Sequence, residues 1–151
     1  MSLPNKALVL VVDGRKLLFL RNHGDAAQID LRVEAHDEQE LFKDSDMKSD
    51  SPGVGHQSGG YGRATMSETD YHQQAEDRWA VEAADRLRKR ALNGDFEALA
   101  IVAPPKTLGE LRKHLHKEVE KRVVIQFPKE MTDRPIPDIE ALFEKQSASS
   151  A

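Results

Sequence analysis

The chain has 151 residues, of which 38% are hydrophobic and 32% charged, and its formal net charge is −4. Its length predicts a single domain over residues 1–146, followed by a frayed tail at 147–151. The absence of cysteine excludes a disulfide framework and thiolate zinc sites. The N-terminus shows neither a secretory signal nor a run of membrane-spanning length, so we expect a cytoplasmic protein with no membrane partner.

The first part of the chain predicts three strands. Residues 7–12 and 17–20 are β-rich apolar runs, and Asp13-Gly14 between them indicates a hairpin, because glycine accepts the positive φ of primed turns. Residues 29–35 alternate apolar and polar side chains, as a half-exposed strand does. These strands should open the sheet as an antiparallel meander.

Residues 43–67 differ in composition from the rest, being rich in Ser, Asp and Gly. A loop of this length in a compact domain is usually functional or disordered. We therefore predict a long flexible loop that becomes ordered on binding. Its candidate functional residues are Gly55, His56, Gln57, Gly59, Gly60 and Arg63.

A long helix is predicted from an N-cap at Ser67 or Thr69 to the stop signal Asn93-Gly94. Apolar residues recur at four-residue spacing along it and predict its buried face. These residues are Ala75, Trp79, Ala83 and Leu87. Trp79 is accordingly interpreted as a core residue.

The uninterrupted apolar run at 99–103 predicts a central strand, placed over 97–102, that is covered on both faces as in a mainly parallel sheet. Pro104 and Pro105 end it, because neither has a backbone N–H to donate. Thr107 and Glu110 fit a capping box, which predicts a helix over 106–117. A strand followed by a helix N-terminus is where open α/β sheets usually place ligands.

The remaining elements are one strand and one helix. Residues 121–127 predict a strand that Pro128 ends, and Pro135-Ile136-Pro137 precedes the last helix. The inward-facing residues of that helix are Ile139, Leu142 and Phe143.

Charge is distributed unevenly, with acidic residues dominating 37–77 and basic residues dominating 86–122. The basic cluster fits either a solvated helical face that complements the helix dipole or contacts to a phosphate backbone. Few aromatic residues are available for base stacking, which favours backbone contact with structured RNA. The candidate nucleic-acid contacts are Arg86, Arg88, Arg90, Lys106, Arg112, Lys113 and Lys117.

The sequence gives little support for a metal site or for the other catalytic and nucleotide-binding motifs considered. The six histidines lack metal-ligand spacing, since His114 and His116 lie two apart on a predicted helix and point to different faces. HExxH, GxSxG and Walker motifs are all absent. We expect neither a metal nor another cofactor.

Three stretches of the chain form a recognisable pattern together with the order of the predicted elements: Gly-Gly-x-Gly-Arg at 59–63, the motif at 101–112, and Lys-Glu-Met-Thr at 129–132. This pattern resembles the bacterial host-attachment protein family, which usually has Lys-Asp-Leu-Thr at the last of these stretches. That family is similar to the middle domain of archaeal and eukaryotic class-one release factors and of Pelota. The resemblance implies a ribonuclease H-like α/β fold, with a mixed five-stranded sheet flanked by helices.

The resemblance also implies a candidate catalytic loop. In release factors a Gly-Gly-Gln loop promotes peptidyl-tRNA hydrolysis, and here the corresponding loop carries Gly55-His56-Gln57. His56 replaces the middle glycine, and its β-carbon penalises conformations open to glycine. Gln57 is therefore the catalytic candidate if the loop retains peptidyl-tRNA hydrolysis.

Three functional hypotheses follow. The first is a non-enzymatic binding domain whose partner is the ribosome or tRNA. The second is peptidyl-tRNA hydrolysis through Gln57. The third is a protein–protein adaptor that uses the acidic segment 37–77 and affects host attachment only indirectly, from inside the cell.

Overall fold

The computed structural model describes residues 2–39 and 68–150. The predicted loop at 43–67 lies outside these residues. The described part contains five strands and four helices. In chain order they are β1 (Leu8–Val12), β2 (Lys16–Asn22), β3 (Leu31–Glu38), α1 (Glu68–Leu92), β4 (Leu99–Ala103), α2 (Pro105–Arg112), α3 (Lys117–Glu120), β5 (Val123–Pro128) and α4 (Ile136–Ser150).

The strands form one five-stranded sheet in the order β3-β2-β1-β4-β5. Strand β2 pairs antiparallel with both β1 and β3, whereas β1–β4 and β4–β5 are parallel pairs. Only β2 therefore runs against the other four strands. The predictions of an α/β class, an opening meander and a mixed five-stranded sheet flanked by helices are confirmed.

Helices cover both faces of the sheet, and each face has its own apolar cluster. Strands β1 and β4 are buried along their whole length, as the uninterrupted apolar run predicts. One cluster joins the sheet to α1, α2 and α3 through Trp79, Ala83, Leu87, Leu108, Leu111 and Val119. The other joins it to α4 through Ile139 and Phe143.

The β1–β2 hairpin forms as predicted, but for a different physical reason. Gly14 does not adopt a positive φ. Instead, Asp13 Oδ1 accepts hydrogen bonds from the backbone N–H groups of Arg15, at 2.8 Å, and Lys16, at 2.7 Å. Its second carboxylate oxygen accepts a hydrogen bond from the Thr132 hydroxyl. The Asp13 side chain thus shapes the turn and ties it to the loop after β5.

Helix α1 ends as predicted. Gly94 has a φ of +68°, and two backbone hydrogen bonds, from Gly94 N to Ala91 O (3.0 Å) and from Asp95 N to Arg90 O (2.9 Å), form a Schellman motif. Trp79 is buried with 6% of its surface exposed, as expected. Thr69 lies inside the helix, so it is not the N-cap.

The helix predicted over 106–117 is wrong in both its start and its length. Helix α2 begins at Pro105, with Pro104 as its N-cap residue, and no side chain caps it. Proline is preorganised for the first helical position, where its missing N–H costs nothing. The chain leaves the helix after Arg112, and His116 Nδ1 then accepts a hydrogen bond from Glu118 N, at 2.9 Å, to start α3. Arg112 and His116 therefore do not share a helical face, and neither do Lys113 and Lys117.

Smaller corrections concern element ends. Strand β3 starts two residues later than predicted and extends to Glu38, and β5 starts at Val123. The expected frayed tail at 147–151 is helical as far as Ser150. Among the described residues, no helix is long and apolar enough to cross a membrane.

Candidate nucleic-acid interface

The seven predicted cations lie in the helical layer formed by α1, α2 and α3. Three are on the last turns of α1, and the other four lie between the start of α2 and the start of α3. Because α1 packs against both shorter helices, one surface could in principle hold all seven. Their side-chain contacts determine whether it does.

Arg86 is directed from α1 towards the edge strand β3. Its Nη2 lies 2.7 Å from Asp37 Oδ2 on β3, and its Nε lies 2.9 Å from Glu82 Oε2 one helical turn earlier. The guanidinium also lies over the Trp79 ring, 5.5 Å from its centroid. The hydrogen bond from Arg86 holds the pKa of the Asp37 carboxyl below its usual range. Arg86 thereby fastens α1 to the sheet.

Arg90 belongs to a closed ion-pair network with Arg21, Glu34 and Asp95. Its Nη1 lies 3.0 Å from Glu34 Oε1 and 2.9 Å from Asp95 Oδ2. Arg21 contacts the same two carboxylates, at 3.0 Å and 2.8 Å. Arg90 also lies over the Phe19 ring, 4.4 Å from its centroid. These contacts join β2, β3 and the end of α1, so the charge of Arg90 is compensated within the fold.

Arg88 has a carboxylate partner on its own helix. Its Nη2 lies 2.7 Å from Asp85 Oδ1, and Lys89 shares the other oxygen of Asp85 at 3.1 Å. All three candidate arginines of α1 are thus paired with acids. These ion pairs link α1 to the sheet or to neighbouring residues of the same helix, and nucleic-acid binding by the three arginines stays a prediction.

The four cations of α2 and α3 have fewer acidic partners. Lys106 and Lys117 are exposed, and within the described ranges neither forms an ion pair. Arg112 donates from Nε to the neutral Gln126 Oε1, at 2.8 Å. Lys113 alone meets a carboxylate, Glu110 Oε1 at 3.2 Å, and its side chain remains 69% exposed.

The seven cations therefore do not form one surface. Arg86 and Arg90 contact acids of β3, whereas Arg112 contacts Gln126 of β5, and these strands are opposite edges of the sheet. The candidate interface reduces to a set that we name the α2–α3 cation group. It consists of Lys106, Arg112, Lys113 and Lys117.

One neighbouring cation was not singled out from the sequence. Lys129 directly follows β5 and is exposed. Because Ala103 is paired with Pro128, Lys129 leaves the sheet beside Pro104, at the start of α2. The available signal was a basic residue immediately after the carboxyl end of a parallel strand, the usual ligand-binding edge of such sheets.

Two of the described histidines have local contacts. His116 caps α3, and His114 Nε2 lies 3.3 Å from Glu110 Oε2. Over residues 2–39 and 68–150, no three potential ligands come together in a way that could hold a metal ion. Gly55, His56, Gln57, Gly59, Gly60 and Arg63 lie outside the described residues.

The fold defines an α/β domain with a mixed five-stranded sheet, and the candidate site is the α2–α3 cation group beside β5. A model of the Bacterial archaeo-eukaryotic release factor family 12 matches residues 6–142, and the chain therefore belongs to that family. This confirms the release-factor part of the resemblance. A search of curated proteins gave no match. The host-attachment part of the resemblance stays a prediction.

Proposed function

We propose that this chain is a non-enzymatic release-factor-type domain that binds the phosphate backbone of structured RNA, in the ribosome or in tRNA. The observation that carries the proposal is the α2–α3 cation group, in which only Lys113 has a carboxylate partner among the described residues. Membership of a release-factor family indicates the kind of polyanion. An RNA partner of this kind would place the domain in the cytoplasm.

The local charge balance supports this partner despite the acidic chain. Residues 105–122 contain six Lys and Arg against three Glu, whereas the whole chain has 22 Lys and Arg against 26 Asp and Glu. Residues 105–122 also lack Phe, Tyr and Trp, which removes the usual platforms for base stacking. Contact with phosphates is the recognition mode that these side chains fit best.

The proposal is tested by a salt titration of binding to fluorescein-labelled tRNA. Wild type is compared with K106Q/K113Q and with a matched control, K89Q/K145Q, which removes the same charge from the exposed sides of α1 and α4. Two lost phosphate contacts should lower the slope of log affinity against log salt by about two. The control should keep the wild-type slope.

A wild-type affinity that stays flat between low and moderate salt would refute the proposal. So would equal losses in the two double variants, because net charge alone would then explain binding. Co-sedimentation with ribosomes, with and without nuclease, addresses the third hypothesis. Retention of a protein partner after nuclease treatment would favour the adaptor, including its indirect role in host attachment.

We further propose that the fold is ribonuclease H-like, of the release-factor middle-domain type. The sheet order β3-β2-β1-β4-β5 with only β2 antiparallel supports this assignment. Helices on both faces of the sheet support it as well.

Peptidyl-tRNA hydrolysis is the second candidate, and the observation that favours it is Gly55-His56-Gln57 in a member of a release-factor family. A peptidyl-tRNA release assay comparing wild type with Gln57→Ala tests it. Equal rates for the two proteins would exclude a catalytic role for Gln57.

A further inference from the structure

Gly109 is the one described glycine whose presence is explained neither by its φ nor by contacts with residues 2–39 and 68–150. Gly94 has a positive φ, a Cβ at Gly14 would lie 2.7 Å from the Glu76 side chain, and a Cβ at Gly24 would lie 1.9 Å from Gln28 O. A Cβ at Gly109, in contrast, would have no neighbour within 4 Å among residues 2–39 and 68–150. Its φ is not positive either.

Gly109 nevertheless lies inside helix α2, where glycine is less stable than alanine. The residue is exposed, so removing the side chain leaves a shallow gap on the outer surface of the helix. Neither its backbone conformation nor packing against residues 2–39 and 68–150 accounts for it. The absence of a side chain at such a position permits the close approach of another molecule.

Two lysines flank this gap on the same helical face. Lys106 lies three residues before Gly109. Lys113, the C-cap residue of α2, keeps helical backbone angles and lies four residues after Gly109, so these spacings place the side chains on one face. The two lysine Cα atoms are therefore separated by about 10.5 Å along the helix axis. Glu110 is also nearby, but Lys113 and His114 both contact its carboxylate, at 3.2 Å and 3.3 Å.

The chemistry of this face favours a polyanion over a protein partner. Protein interfaces are usually anchored by buried aromatic or aliphatic side chains. The exposed large hydrophobic residues of the described chain are on β3 and α1 and not on α2 or α3. They are Val33, Tyr71, Val81 and Leu92.

We infer that Gly109 is the point at which the RNA sugar-phosphate backbone approaches α2 most closely, with Lys106 and Lys113 binding phosphates on either side. This inference rests on the proposed function and adds the position of the RNA strand on helix α2. A methyl group at residue 109 would hold the backbone away from both lysines. The same methyl group would stabilise the helix.

The test measures the melting temperature and the affinity for fluorescein-labelled tRNA of the same variants. We expect G109A to raise Tm by about 2 °C and to weaken tRNA binding by about threefold to tenfold, the order of a lost phosphate contact. G109Q should weaken it further. The control G94A should lower Tm, because alanine is strained at φ +68°, and should keep the wild-type affinity well below Tm.

The outcomes separate this inference from the proposed function. Wild-type affinity in G109A, with K106Q/K113Q still weakened, overturns the inference alone. Wild-type affinity in both variants overturns both proposals. If G109A weakens binding of polyglutamate as much as binding of tRNA, the assignment to RNA is overturned.

Discussion

Replacing Arg90 with Met tests whether the α1 arginines hold the fold together or bind a partner. The change removes two ion pairs, to Glu34 at 3.0 Å and to Asp95 at 2.9 Å, and the charge that lies over Phe19. Methionine keeps much of the apolar contact with that ring. Arg21 still pairs with both carboxylates, so neither is left alone.

The expected cost follows from these contacts. The Arg90 side chain is only 25% exposed, so each of its ion pairs should contribute more to the free energy of unfolding than a fully exposed pair does. Two such pairs and one cation–π contact together contribute about 2 kcal/mol. For a domain of this size, the loss corresponds to a Tm decrease of about 6 °C.

Arg88→Met is the matched control, because it removes the same charge two residues earlier on the same helix. Arg88 pairs with Asp85, which also contacts Lys89, so we expect a loss below about 0.5 kcal/mol. Thermal unfolding followed by circular dichroism measures both variants. Equal Tm values for the two would refute the structural role of Arg90. A tRNA affinity more than about twofold weaker in folded Arg90→Met than in wild type would indicate that Arg90 belongs to the RNA interface.

Three further predictions concern stability. Asn22→Asp should cost about 2–4 kcal/mol in urea unfolding, because the side-chain NH2 group of the fully buried Asn22 lies within hydrogen-bond distance of three backbone carbonyls that a carboxylate would repel; a variant as stable as wild type would contradict this. His116→Ala should cost about 1 kcal/mol through loss of the α3 cap, and His116→Asn should recover most of it; equal losses in both would rule out capping. The hydrogen bond from Arg21 holds the pKa of Glu34 below its usual value of 4.5, so the unfolded chain binds more protons, and this stabilisation is complete above that pH and lost as the pH falls below it. Glu34→Gln should flatten the stability profile between pH 3 and 5, about the range over which a glutamate titrates, and an unchanged profile would exclude Glu34 as its source.

The difference between the two groups of cations could not be predicted from the sequence. Glu34 and Arg90 are 56 residues apart in the chain, and Asp37 and Arg86 are 49 apart. Helical periodicity shows that the arginines are polar and near a helix end, but it does not show which acids of another element they meet. For α1 the sequence left two interpretations open, a solvated helical face and contacts to a phosphate backbone, and neither included the acid partners on β3.

The limits of α2 depended on a choice between two local signals. Thr107 fits a capping box, whereas Pro105 fits the first helical position, and the structure uses Pro105. The end of α2 at Arg112 was less accessible to prediction. It depends on His116 capping a second, short helix, and histidine is not among the preferred capping residues.

The sequence by itself determined the features that depend on neighbouring residues. These are the buried central strand, the apolar stripe around Trp79 and the end of α1 at Gly94, because side-chain patterning and glycine φ preferences act over a few positions. Only the tertiary structure decided the order of the strands, the acid partners of Arg86 and Arg90, and the exposure of the α2–α3 cation group. Each of these depends on which distant elements are packed side by side, and hydrophobic patterns specify burial without specifying the neighbour.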